Sequence, residues 1–254
     1  SMVGMSIGLT FALSLVAALL LVSVIGMSGL FVLTGVSMML AMFAVYKYVP
    51  DPEKNTSSNR LPALQIALQP QLWRLNFGIF ALHAAQMALF ISLPFLFLQM
   101  GIAQEAQWKV YAPMVLFGMV LMVPVIIYGE KKRKLKQTLL FAIGMMVVAQ
   151  AMLATKHNAV MVMTAALVIY AIAFNVLEAI LPSMVAKFAP AEQRGAAMGF
   201  YSTAQSIGLF IGGVAGGGLF SRFGFEGVFV FATALMLIWW AIAATGATPK
   251  PREA

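Results

Sequence analysis

Long apolar runs, each near the length of a membrane crossing, follow one another along the chain with short polar breaks between them. A helix needs roughly 20 mainly apolar residues to cross about 30 Å of hydrocarbon. Runs of that kind cover residues 2–24, 28–49, 74–98, 110–128, 137–155, 159–186, 195–220 and 227–247, which predicts about eight transmembrane helices. The runs are continuous rather than alternating, so they read as helices and not as barrel strands. Pro94, Pro124 and Pro182 fall inside them, where neighbouring helices can satisfy the freed backbone. The fold class is therefore an all-α membrane protein. The longest break, residues 50–73, starts polar and ends with Leu61, Leu64, Leu68 and Leu72 on one helical face. Two readings are open for it: a short helix on the membrane surface, or an ordinary linker limited by Pro62 and Pro70.

Composition agrees with this pattern. Hydrophobic residues are 62% of the 254 and charged residues 9%, too little charge to cover a soluble domain of this size. The net charge of +8 would suit a nucleic-acid partner, but its placement argues for topology instead. Lys47, Lys54, Arg60, Arg74, Lys131, Lys132, Arg133, Lys134, Lys136, Lys187, Arg194, Lys250 and Arg252 all fall on one side of an eight-span layout. Only Lys109, Lys156 and Arg222 fall on the other. The positive-inside rule then puts the rich side and both termini in the cytoplasm. Trp73, Trp108, Trp239 and Trp240 lie near span ends, where interfacial aromatics are expected. Ser1 ahead of Met2 reads as a scar of tag removal, and the run after it as a retained span rather than a signal peptide. The absence of cysteine excludes disulfides, thiolate metal sites and cysteine catalysis.

Residues 23–32, SVIGMSGLFV, recur as SRFGFEGVFV at 221–230, with Ser, Gly, Gly, Phe and Val in the same places. The first copy joins spans one and two and the second joins spans seven and eight, so the repeat unit is six helices. PAEQRGAAMGFYSTAQSIGLFIGGVAGG at 190–217, YGEKKRK at 128–134, LNFGIFALH at 75–83 and AFNVLEAILPSM at 173–184 resemble segments of bacterial transporters of the major facilitator superfamily. The resemblance covers essentially the whole chain. It implies that residues 1–49 are the last two helices of an N-terminal half, 50–73 a cytoplasmic linker, and 74–254 a complete C-terminal six-helix half. By this numbering the first four helices of the family are not in the chain. Ala17 and Ala18 stand where many family antiporters have a Gly-Pro pair, which weakens a reading of antiport from that helix.

No zinc-ligand spacing, phosphate-binding Gly-Lys-Ser loop or serine elbow occurs, so neither an enzyme nor a bound metal or cofactor is expected. One carboxylate differs from the rest: Glu178 is the only acidic residue within a span. A charge at the bilayer centre costs about 2.5–3.5 kcal/mol on insertion scales, so Glu178 should face a cavity, carry a proton, or both. His83 is nine residues after Arg74 and Glu178 nine before Lys187, so both sit about 13.5 Å deep at 1.5 Å per residue. Gln86 and Asn175 lie about a turn deeper, on the same faces. The resemblance implies that these faces line the central pathway, with Tyr170, Gln86 and Asn175 in a substrate cavity and Glu178 and His83 handling the proton. A plain hydrogen bond from His83 to a nearby carbonyl, and interhelical contacts for Gln86 and Asn175, remain open. Gln150 and Gln205 rank below these. Gly208, Gly212 and Gly216 recur every fourth residue and form a groove for close helix packing.

The basic run 131–136 reads as a topology anchor with contact to anionic lipid. The resemblance adds a gate built from Glu130, Arg133 and Arg194. The leading expectation is a portion of a secondary transporter of the bacterial inner membrane. It would be proton-coupled and move a small molecule, with efflux of amphipathic compounds as the resemblance's suggestion. The alternative is a non-transporting fragment or assembly module that needs further N-terminal helices or a second copy.

Overall fold

A computed structural model describes residues 2–50, 62–156 and 159–248, and every regular element in it is helical. These are α1 (Met2–Tyr48), α2 (Ala63–Ala67), α3 (Pro70–Gln99), α4 (Trp108–Lys131), α5 (Leu135–Lys156), α6 (Val160–Phe188) and α7 (Arg194–Ala244), with 3₁₀ turns at Gln104–Ala106 and Ala191–Gln193. The polar part of the expected linker, 51–61, and His157 lie outside the described residues.

Local chemistry sets the helix ends. Pro70 opens α3, where a missing N–H costs no helical bond. At its far end Gly101 turns left-handed, with φ 77°, and the Ile102 N–H donates to the Phe97 carbonyl at 2.9 Å, a Schellman closure. The end of α4 closes in the same way, but with Arg133 at φ 56° and the Lys134 N–H donating to the Gly129 carbonyl at 2.8 Å. The Gln107 side chain then ties the α3–α4 connection down by donating to the Pro94 carbonyl at 3.0 Å.

Six helices among the described residues are long and apolar enough to cross a membrane, against the eight spans expected. Much of the difference lies in α7. Its 51 residues would extend roughly 75 Å as one rod, about twice a single crossing. It does not run as one rod. Gly208, Gly212 and Gly216 meet Phe80, Ala84 and Ala88 of α3 in ascending order, and Phe220 stacks on Phe95 at 5.2 Å. Beyond that the order descends: Trp239 meets Gly78, the Thr245 hydroxyl accepts from Arg74, and the Ala247 N–H donates to Gln71. The chain has reversed, and the break is at Gly224 (φ 62°, ψ −153°).

A break of the same kind interrupts α1 at Gly26 (φ 68°, ψ 176°). Both glycines sit in a backbone region that is essentially closed to other residues. The match extends one turn further. A Cβ on Gly29 would meet the Ile25 Cβ at 2.7 Å, and one on Gly227 would meet the Phe223 Cβ at 2.5 Å. Each residue of one break therefore does what its counterpart 198 positions on does in the other, as the sequence repeat pairs them.

Helix α3 is the most enclosed element: it packs on both arms of α7 and touches α6. Helix α5 lies against α6 and the second arm of α7, α4 against α6, and α1 against α4 and α6. Two sequence expectations change here. Trp239 does not face the interface but is fully buried on Gly78. Of the leucine stripe, Leu72 is buried while Leu64 and Leu68 point outward, and it is Ile66 that docks the five-residue α2 into the bundle.

Candidate functional site

Midway along α3, α6 and α7 the helices leave a cavity of about 360 Å³. Its walls are mostly apolar, from Met87 and Phe90 of α3, Met114 and Val115 of α4, Ala171 and Phe174 of α6, and Leu209 of α7. Its polar groups are His83, Gln86, Tyr170, Asn175, Glu178 and Gln205. All five residues that the sequence grouped by depth or resemblance (His83, Glu178, Gln86, Asn175 and Tyr170) thus meet in one space.

His83 is the centre of this group. It lies on α3 in a buried position, with Nδ1 3.2 Å from the Ile79 carbonyl oxygen one turn back. Its Nε2 is 3.6 Å from Oε1 of Glu178 on α6 and 2.7 Å from Nε2 of Gln205 on α7. The Phe174 ring meets the imidazole edge-on at 5.9 Å and stacks on Tyr170 at the same distance. Neither the Tyr170 hydroxyl nor Glu178 Oε1 has a hydrogen-bond partner among the described residues. In a cavity of this polarity, unsatisfied oxygens of this kind are groups a ligand can address. Asn175 donates to the Ala171 carbonyl of its own helix at 2.8 Å, leaving its carbonyl end for the cavity. No group of three or more His, Asp or Glu capable of holding a metal occurs among the described residues.

Gln205, which the sequence ranks below the other polar residues, belongs with them by depth. It is eleven residues past Arg194, about 16 Å along the helix, which is the depth of the other polar residues. Gln150 is fully buried on α5, outside the cavity, and neither end of its amide has a partner among the described residues.

Glu130 and Arg133 lie exposed at the end of α4 and in the turn after it, and Arg194 opens α7 with its Nε buried and unbonded among the described residues. No ion pair joins Glu130 to Arg194 among the described residues. Gly208, Gly212 and Gly216 are all buried against α3.

Membrane-length helices packed round an internal site with one carboxyl, one imidazole and three amides make this an integral membrane protein with a polar patch inside its bundle. A profile of the Major Facilitator Superfamily matches residues 1–177 and residues 132–254. The chain belongs to that family, which is one of transport proteins rather than enzymes. The inner membrane transport protein YajR of Escherichia coli (strain K12) is 32% identical over 252 residues, covering 97% of this chain and 56% of that protein. An uncharacterized transporter of Buchnera aphidicola subsp. Acyrthosiphon pisum is 27% identical over 216 residues, covering 83% of this chain and 55% of that protein. A third, from Buchnera aphidicola subsp. Baizongia pistaciae, is 25% identical over 253 residues and is itself 63% covered. The chain spans a little over half the length of the curated relatives it matches.

Proposed function

We propose that this chain forms part of a proton-coupled secondary transporter of the bacterial inner membrane, with both termini in the cytoplasm. The observation that carries the reading is the His83–Glu178 contact across α3 and α6, on the wall of the cavity. An acid in a low-dielectric site is expensive to leave charged. Placed beside an imidazole it can take up and release a proton at little cost in geometry. The substrate shares the cavity. Met87, Met114, Phe90, Phe174 and Leu209 present adaptable apolar surface, and Asn175, Gln86 and Tyr170 supply a few polar contacts. That balance suits a small amphipathic compound, and efflux is the direction we assign. Anionic lipid would meet the exposed run Lys131–Lys134. Glu130, Arg133 and Arg194 would form a cytoplasmic gate between states.

The test is Glu178→Gln in the full-length transporter, reconstituted with a pH-sensitive dye inside the vesicles. Amphipathic compounds that move protons in the wild type should move none in the variant. Unchanged proton movement with an intact pH dependence would remove Glu178 from this role.

A second reading rests on the relatives being nearly twice as long as this chain: alone, the chain is a membrane module that transports only with further helices or a second copy. Flux through a monodisperse monomer of the 254 residues would exclude it.

A further inference from the structure

His83 has three polar neighbours and two ring nitrogens, and only some placements of protons satisfy all of them. A carbonyl oxygen can only accept, so Nδ1, facing the Ile79 oxygen at 3.2 Å, carries a hydrogen. With the ring neutral, Nε2 holds a lone pair and accepts the Gln205 N–H at 2.7 Å. Glu178 Oε1 lies 3.6 Å from the same nitrogen. A carboxylate oxygen facing a lone pair is repulsive, so this arrangement has its proton on Glu178.

The alternative places the proton on the ring. Nε2 then carries a hydrogen, donates to the Glu178 carboxylate, and can no longer accept from Gln205. The amide of Gln205 must turn about its last torsion to present its oxygen, or withdraw. Glutamine is suited to this: one rotation exchanges a donor for an acceptor in the same place. Leucine could answer neither state, and glutamate would add a second acid.

We propose that Gln205 is a positioning residue that reads where the proton sits in the His83–Glu178 pair and passes that state to α7. The proposal rests on the proton-coupled reading above. Nε2 gains its proton either from Glu178, which moves one proton and one charge within the pair, or from water, which adds one proton and one positive charge to the pair. The transmission is mechanical: α7 carries Gln205 one turn before Gly208, whose missing side chain brings its backbone against Phe80 of α3. A change at the amide is therefore made where the two helices have the least slack. The other groups facing the pair are neutral. Tyr170 on α6 lines the same cavity, Tyr201 is buried on α7 one turn before Gln205, and both side chains are uncharged phenols. Helix α4 presents Met114 and Val115, and no Lys, Arg or Asp lines the cavity.

The experiment is infrared difference spectroscopy of the full-length transporter across a pH titration, with ¹³C-labelled glutamine in one sample, ring-labelled histidine in a second, and the proton itself as the only probe. Glu178→Gln identifies the carboxyl band by its loss. Gln205→Leu and Gln205→Asn each identify the amide band, so that one unfolded variant does not block the assignment. The expected result is that the Gln205 band shifts over the pH interval in which the His83 ring gains its second N–H, and is fixed across that interval in His83→Asn. A His83 ring band that titrates without the Gln205 band, or a Glu178 carboxyl band that titrates while the ring band never changes, overturns the role of Gln205 and leaves the proton site intact. A pair in which neither the His83 ring band nor the Glu178 carboxyl band titrates overturns both.

Discussion

At the scale of single residues, the polar side chains within the bundle divide by what surrounds them. Those at the cavity face open space and one another. Gln150 faces neither: it is fully buried on α5, and both ends of its amide are without partners among the described residues. A buried amide left unbonded costs about 1–3 kcal/mol, and methionine has nearly its volume without that burden. Gln150→Met should therefore raise the midpoint of thermal unfolding in detergent, whereas Gln86→Met, on the cavity wall, should lower transport instead. A fall in stability for Gln150→Met would mean that its amide is bonded after all. The contrast also shows what was readable at this scale. Counting residues from a basic marker at the membrane edge placed His83 and Glu178 level with each other, because helical rise is constant and both helices start from anchored ends. The same count, taken from Arg194, puts Gln205 at that depth as well, although the sequence ranks it lower. What it cannot supply is rotation about the helix axis, and that is what separates Gln205, in contact with His83, from Gln150, buried on α5 away from the cavity.

At the scale of elements, the α3–α7 contact is made by what is missing. Cβ atoms added to Gly208 or Gly212 would run into the carbonyl oxygens of Phe80 and Ala84, which are main-chain atoms and cannot step aside. Gly213, one residue on, has only Met87 Cγ near, at 3.7 Å. Gly212→Ala should thus cost about 1–3 kcal/mol by overpacking. Gly213→Ala should be neutral or gain up to about 1 kcal/mol from its better helix propensity. Equal effects, measured as unfolding midpoints of the two purified variants, would show that the helices are less closely set than described. The breaks at Gly26 and Gly224 make a second pair. Each holds its glycine in a region that costs other residues about 1–3 kcal/mol, so Gly26→Ala and Gly224→Ala should each destabilise by that order, and by similar amounts. The repeat was visible in the sequence because these positions accept no other residue. That α7 is continuous as a helix right up to the reversal was not visible, since a single residue does the work usually given to a loop.

At the scale of the whole molecule, the fold class was legible because lipid imposes one strong rule, that every backbone group be satisfied within a helix. The cavity was legible only as a depth, and its walls came from tertiary packing that no periodicity records. Orientation is the remaining global property, and the fold now gives it a sharp test. The first arm of α7 runs parallel to α3, and α4 returns in the opposite direction. Lys132, after α4, and Arg222, just before the Gly224 break, therefore lie at opposite ends of the bundle, and both are exposed. The chain has no cysteine, so a single introduced thiol is the only one a maleimide can find. If the basic side is cytoplasmic, a membrane-impermeant maleimide added to intact spheroplasts should label Arg222→Cys and spare Lys132→Cys, and inside-out vesicles should give the reverse. Labelling of Lys132→Cys alone from outside would invert the orientation, and with it the side to which the site's proton is delivered. Labelling of both from the same side would contradict the parallel run of α3 and the first arm of α7, because that run is what carries Arg222 to the end of the bundle opposite Lys132.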